Sequence, residues 1–202
     1  GVADSDGTQQ PSGFGAVLQD RRLLIFAACI VLFHFANSAM LPLVAQRMSA
    51  AGAATDGIVF TSACIIAAQL VMIPMALLCG AKAETWGRKT LFLGAFAVLP
   101  IRGVLYTLTD NSYALVIVQG MDGLANGIFG VLFLLILSDI TRGTGRFNIV
   151  QAALATLVGV GASLSNLVAE YVVQFAGYDS GFLFLAGVAV VGAVLFAVAM
   201  PE

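Results

Sequence analysis

Residues 119–127 read QGMDGLANG, and within them Gln119, Asp122 and Asn126 fall at steps of three and four. That spacing puts side chains on one face of a helix, and Phe129 continues the stripe. A carboxylate between two amides can exchange a proton or hold a polar or cationic solute through hydrogen bonds. Three other groups belong to the same question. His34 stands with Asn37 and Ser38 in an apolar stretch, Arg102 interrupts another, and Glu170 ends a stripe of Thr156, Gly159, Ser163 and Asn166. His34 suits solute binding or proton relay, and equally a hydrogen-bonded packing role.

The surroundings of these residues decide what they cost. The 202-residue chain is 60% hydrophobic and 10% charged, with a mean hydropathy of +0.99; a soluble domain carries about 25% charged residues. The deficit is too large for one oily core, so the expected solvent is lipid. Cys29, Cys64 and Cys79 lie inside apolar stretches without C-x-x-C spacing, as buried hydrophobes do. The chain starts at Gly1 without a signal-peptide pattern and stops at AMPE, as expected of a segment of a longer protein.

Residues 1–20 are polar and rich in Gly and Ser, the composition of a flexible linker. Beyond them six stretches reach the roughly 20 apolar residues that a bilayer crossing needs: about 22–46, 57–80, 89–108, 113–138, 148–176 and 181–200. Their joints are RMSAAGAATD, AKAETWGRK, TDNS, TRGTGRFN and GYDS. Arg21, Arg22, Lys82, Arg88, Lys89, Arg142 and Arg146 fall on one side of this arrangement, against Arg47 alone on the other. The positive-inside rule makes the basic side cytoplasmic, with both termini inside.

The third and sixth spans are plain apart from Arg102, whereas the first, fourth and fifth carry the polar groups. Two functional spans followed by a plain one, twice over, predict two three-helix repeats at about 22–108 and 113–201. Three crossings being odd, the repeats insert in opposite orientation, the inverted-repeat pattern of many secondary transporters. Gly120, Gly123, Gly127 and Gly130 form a stripe beside Asp122 that lets a neighbouring helix approach closely. A lipid-facing carboxylate costs about 2.5–3.5 kcal/mol on insertion scales, so the polar stripes are expected to converge on a wet cavity. Arg102 lies about six residues from the outer end of its span and Asp122 about ten, a depth difference of about 6 Å that an arginine can bridge. Their ion pair is either a structural tie between the repeats or a switch in which Asp122 trades arginine for a proton or a cation. Glu170 lacks a basic partner at its depth; it suits reversible protonation, or snorkels to the outer surface.

The second joint, GAKAETWGRKT at residues 80–90, resembles the loop signature of the major facilitator superfamily, in which a glycine, an acid and a G-[RK]-[RK] ending recur between the second and third helices of each half. Gly80, Glu84, Gly87, Arg88 and Lys89 stand in the matching positions. Glutamate stands where aspartate is usual and Thr85 where a basic residue is usual, which leaves the strength of the gate contact open. SDITRGTGRFN at 138–148 is similar to the corresponding later loop of bacterial members.

The resemblance covers about residues 21–201. It implies the carboxyl-terminal six-helix half of a twelve-helix transporter working by alternating access. First and fourth spans would line the cavity, second and fifth would meet the other half, and third and sixth would lie outside. His34, Asn37, Gln119, Asp122 and Asn126 would form the substrate wall, with Asp122 or Glu170 as proton carrier. Gly80, Glu84, Gly87, Arg88 and Lys89 with Asp139, Arg142 and Arg146 would latch the cytoplasmic side. Pro42, Pro74 and Pro100 would allow helices to bend. The implied partners are an amino-terminal six-helix half, in the same chain or as a second copy, a small organic solute, and lipid. The implied place is a bacterial inner membrane, with efflux of drugs or metabolites the preferred direction. Neither nucleic acid, metal nor cofactor is expected. Two rivals stand beside this reading. GASL at 161–164 is a faint serine-protease motif, but the only histidine precedes it and no H-E-x-x-H occurs, so an enzyme is not expected. The other is a stand-alone half that dimerises as a pore or scaffold.

Overall fold

The computed structural model describes residues 20–51 and 57–200; most of the expected linker therefore lies outside the described residues. Six helical elements follow one another: α1 (Arg21–Ser38), α2 (Met40–Ala50), α3 (Gly57–Trp86), α4 (Arg88–Thr107), α5 (Ser112–Thr141) and α6 (Phe147–Ala199). Among the described residues there is no strand. Five runs are long and apolar enough to cross a membrane, α1 and α2 counting as one.

Each boundary has a local cause. Asp20 opens α1 by accepting from the Arg22 and Leu23 amides at 2.9 and 3.3 Å, and Asn111 opens α5 by accepting from Tyr113 and Ala114 at 3.0 and 3.1 Å. The α1–α2 break at Ala39 follows from Pro42, which has no N–H for the Ser38 carbonyl four residues earlier. Between α3 and α4 a single residue reverses the chain: Gly87, at φ 82°. The second joint is thus much shorter than the hydropathy pattern suggests, because α3 continues as helix through Ala81–Trp86 beyond its apolar stretch.

A straight α6 of 53 residues would be about 80 Å long, far beyond a hydrocarbon core of about 30 Å. Gly177, at φ 82° and ψ 169°, breaks it. The two arms, 147–176 and 178–199, fold back on each other: a Cβ on Gly181 would lie 2.7 Å from Val173 Cγ2 and 3.9 Å from the Ala169 carbonyl. Along one straight helix residues 169 and 181 would stand about 18 Å apart.

In the bundle, α3 packs against α5, α1 against α6, and α4 against both α5 and α6. The first arm of α6 meets α1, where a Cβ on Gly161 would lie 3.0 Å from Val31 Cγ1 and the Ser165 hydroxyl donates to the Phe35 carbonyl. The second arm meets α4 through Gly103 and Ala186. Phe182, Leu185, Ala189 and Phe196 on that arm are buried. The last apolar stretch therefore does not face lipid all round, because it closes the core over α4. Phe26, Phe33, Phe92, Phe96 and Phe196 form an aromatic core at one level, and Met40, Leu43, Tyr106 and Phe182 another. On α3, by contrast, Ile58, Ile66, Leu70, Ile73 and Leu77 are exposed, a face that only lipid or another apolar surface covers. All three cysteines are free and buried.

The glycines of α5 are not equivalent. A Cβ on Gly123 would sit 2.1 Å from the Ala68 carbonyl of α3, and one on Gly127 2.7 Å from that of Met72. Around Gly130 a Cβ meets nothing within 4 Å. Gly123→Ala is expected to force α3 and α5 apart and destabilise the bundle by about 1–3 kcal/mol, while Gly130→Ala leaves it unchanged. Thermal unfolding in detergent checks this; equal melting of the two variants would mean the helices do not touch at Gly123.

Candidate functional site

Arg102 projects from α4 into the space between α1 and α5, and it is fully buried. Its Nη1 donates to Asp122 Oδ1 on α5, and its Nη2 donates to Asn37 Oδ1 on α1 at 2.7 Å. The Met40 sulfur accepts from Nε at 3.2 Å and from Nη2 at 3.0 Å. The Asn37 carbonyl is 3.5 Å from Nη2, and the guanidinium carbon lies 5.9 Å from the Tyr106 ring centroid. The α1–α2 break puts Asn37 and Met40 on either side of this cation. A buried guanidinium tolerates loss of water only when anion and dipoles replace it in this way. The two partners are unequally placed: the Arg102 side chain is 1% exposed and that of Asp122 19%. The charge pair thus turns its negative end outward.

The neighbouring residues divide into two groups. His34, Asn37, Asp122 and Asn126 are half-buried and share the face between α1 and α5, where the His34 ring meets Phe129 edge-on at 4.7 Å. Gln119 is buried instead, its Oε1 accepting from the Tyr106 hydroxyl. The structure does not bring the polar stripe of the fifth apolar stretch to this face. Thr156, Ser163 and Asn166 donate to the carbonyls of Ala152, Gly159 and Ala162, four residues earlier in the same helix, at 3.0, 3.0 and 2.9 Å, a local solution open to any helix. Glu170 accepts from the Gln46 side-chain amide, so it does have a partner, though a neutral one.

At one end of the bundle Arg88 bonds Asp139 and, at 2.6 Å, Glu84, while Lys89 Nζ donates to the Met200 carbonyl at 2.7 Å. A cavity of about 550 Å³ opens there between Arg22, Trp86, Arg88, Lys89, Asp139 and Phe196. Gly87 makes the turn that aims Arg88, and Gly80 faces open space. Arg142 is exposed and Arg146 half-buried, and among the described residues neither joins this cluster. The carboxylates involved are half to three-quarters exposed. Exposed pairs of this kind contribute only about 0–1 kcal/mol each.

Arg47 organises the opposite end, which sequence reasoning missed. Its Nη2 pairs with Asp110 at 2.7 Å, and its Nη1 contacts Asp179 at 2.9 Å and the Tyr106 carbonyl at 2.8 Å. The signal was present: the lone basic residue of that side shares it with one aspartate in each of the other two joints. Both clusters gather alternate joints, one end holding Arg47, Asp110 and Asp179 and the other Arg88, Asp139 and Met200.

The buried pair generates a stability prediction. Asp122→Leu strands the Arg102 charge and is expected to cost about 3–5 kcal/mol. Adding Arg102→Met recovers most of that loss, because no charge then remains to be neutralised. Denaturant or thermal unfolding of the single and double variants decides it; a double variant as unstable as the single one would contradict the ion-pair account.

A family model described as Major Facilitator Superfamily matches residues 23–202. Two uncharacterized MFS-type transporters of Mycobacterium tuberculosis, from strains CDC 1551 / Oshkosh and ATCC 25618 / H37Rv, are each 53% identical over 193 residues, or 96% of this chain. The chain spans 46% of the length of these relatives. No solved structure matches it. An integral, multi-pass, all-helical membrane bundle with a neutralised charge at its centre, the chain belongs to the Major Facilitator Superfamily.

Proposed function

We propose that this chain is one six-crossing half of a proton-coupled transporter that exports a small organic solute by alternating access. The observation that carries the reading is Asp122: a partly open carboxylate in the middle of an apolar helix, bonded through one oxygen to a cation that is wholly buried. A guanidinium offers only donors to its neighbours, so Arg102 depends on the acceptors around it. When Asp122 takes a proton, Asn37 and Met40 still accept from Arg102, and water admitted through the partly open face has to replace the lost counter-charge. The other titratable groups around the pair are His34 on α1 and Tyr106 on α4, beside Arg102. Glu170, tied to Gln46, is the second candidate carrier.

Helix pairing supports two inverted repeats. The unit α1/α2–α3–α4 meets the unit formed by α5 and the two arms of α6 by exchange: α1 lies on the second helix of the other unit, and α3 on the first. The third helices, α4 and the second arm, meet at Gly103 and Ala186. In this reading the membrane is a bacterial inner membrane, and the positive-inside rule supports a cytoplasmic Arg88 end with both termini on that side. The exposed faces of α3 and of the first arm of α6 then receive the amino-terminal half, and the solute wall is His34, Asn37, Asp122 and Asn126, backed by Gln119. On the cytoplasmic side Gly80–Lys89 and Asp139 form the latch that releases when the halves rock, with Arg142 and Arg146 beside it.

In proteoliposomes holding the full-length transporter, Asp122→Asn is expected to abolish solute movement driven by an imposed pH gradient. Downhill movement persists at a raised solute concentration, because the neutral amide still accepts from Arg102 while holding the solute less tightly. Glu170→Gln tests the second carrier in the same assay. Wild-type pH dependence in the variant carrying both substitutions would overturn the proton coupling.

A further inference from the structure

We infer that the solute accepted at this face is an organic cation with a hydrogen-bonding, ammonium-type head and an aromatic or similarly flat apolar body. The inference rests on the transport reading above and specifies its ligand. Of the two charges at the centre, only the negative one is accessible. Arg102 is fully buried and spends its donors on Asp122, Asn37 and Met40, so no ligand anion reaches it. The Asp122 side chain is 19% exposed. Its Oδ1 takes the bond from Arg102, and no described residue bonds its Oδ2. What approaches the wall therefore meets a free carboxylate oxygen with amide groups at Asn37 and Asn126 beside it. A charged donor is the chemistry that satisfies it.

The platform for the body lies next to that oxygen. Stepping along α5 from Asp122 toward Thr141, the same face carries Asn126, Phe129 and Phe133. Phe129 stacks on Phe133 at 5.8 Å and on Phe33 at 4.5 Å, and Phe133 stacks on Phe26 at 6.0 Å. His34 closes the row at 4.7 Å from Phe129. Phe26, Phe33 and Phe129 are buried beneath this face, and the half-buried Phe133 and His34 are the rings that reach it; the wall is thus graded, carboxylate and amides at mid-depth and an aromatic edge toward the Arg88 end. A cationic head lodges at Asp122 with its body pointing to that end. Protonation of Asp122 removes the acceptor, so proton and solute head exclude each other at one oxygen. A positive imidazole at His34 would oppose the same head, which sets the pH at which the ligand is best tested.

Three probes with one body separate the possibilities: naphthylmethylamine, naphthylmethanol and naphthoic acid. Their equilibrium binding to the purified full-length transporter is measured at about pH 8, where an ordinary histidine is neutral and the amine remains charged. The amine is expected to bind about tenfold tighter than the alcohol or more, with the carboxylate weakest. Asp122→Asn brings the amine to the level of the alcohol, and Phe133→Ala weakens amine and alcohol together. Equal binding of amine and alcohol, preference for the carboxylate, or no binding of any probe would overturn the inference. Ranking the probes on the unsubstituted protein requires no variant to fold. Because no pH gradient is involved, this result is independent of proton coupling: a preserved amine preference beside failed coupling would leave the ligand class standing and remove only the carrier role.

Discussion

One guanidinium without water constrains the rest of this bundle. Leaving the Arg102 charge unpaired in a low-dielectric interior would cost several kcal/mol, so three helices must deliver acceptors to one point. α5 supplies Asp122, and α1 with α2 supplies Asn37 and Met40 across a break that Pro42 creates. Tyr106, one turn along α4, extends the connection: its hydroxyl reaches Gln119 and its carbonyl receives Arg47. The buried charge thus fixes the separation of α1 and α5, the face on which a solute would lie.

The remaining contacts sort by strength in a way that suits motion of whole units. Within the bundle, backbone-to-backbone approach at Gly123 and Gly127 and ring packing around Phe92 and Phe96 leave little freedom. Contacts at the ends are ion pairs with exposed carboxylates, and such pairs hold weakly. A rigid centre with loosely tied rims is the mechanical requirement for a half that rocks as one body against another.

Much of this was legible in the residues. Hydropathy marked the apolar runs, depth counting along helices paired Arg102 with Asp122, and the glycine spacing of α5 marked a close helix contact, though only Gly123 and Gly127 make it. Helix ends were less legible because hydropathy reports where a chain leaves lipid, and α3 stays helical well beyond that point. The facing of the fifth stretch is less legible for a related reason. In lipid, core-facing and solvent-facing sides are both apolar, so periodicity does not say which face is inward. The stripe from Thr156 to Asn166 reads as a cavity wall; in this half Thr156 and Ser163 are exposed, and its hydroxyls and amide bond their own helix. Gln46–Glu170 and the Arg47 cluster were not foreseen, since they join residues more than 50 positions apart through side-chain directions that spacing alone does not give.

The central claim is that Asp122 exchanges a proton while Arg102 stays fixed beside it. Infrared difference spectroscopy of the purified transporter during a pH titration tests it most directly. The account expects a protonated-carboxyl band that grows reversibly on acidification, shifts in heavy water, and is absent from Asp122→Asn. A spectrum in which that band never appears while the protein remains folded would contradict it.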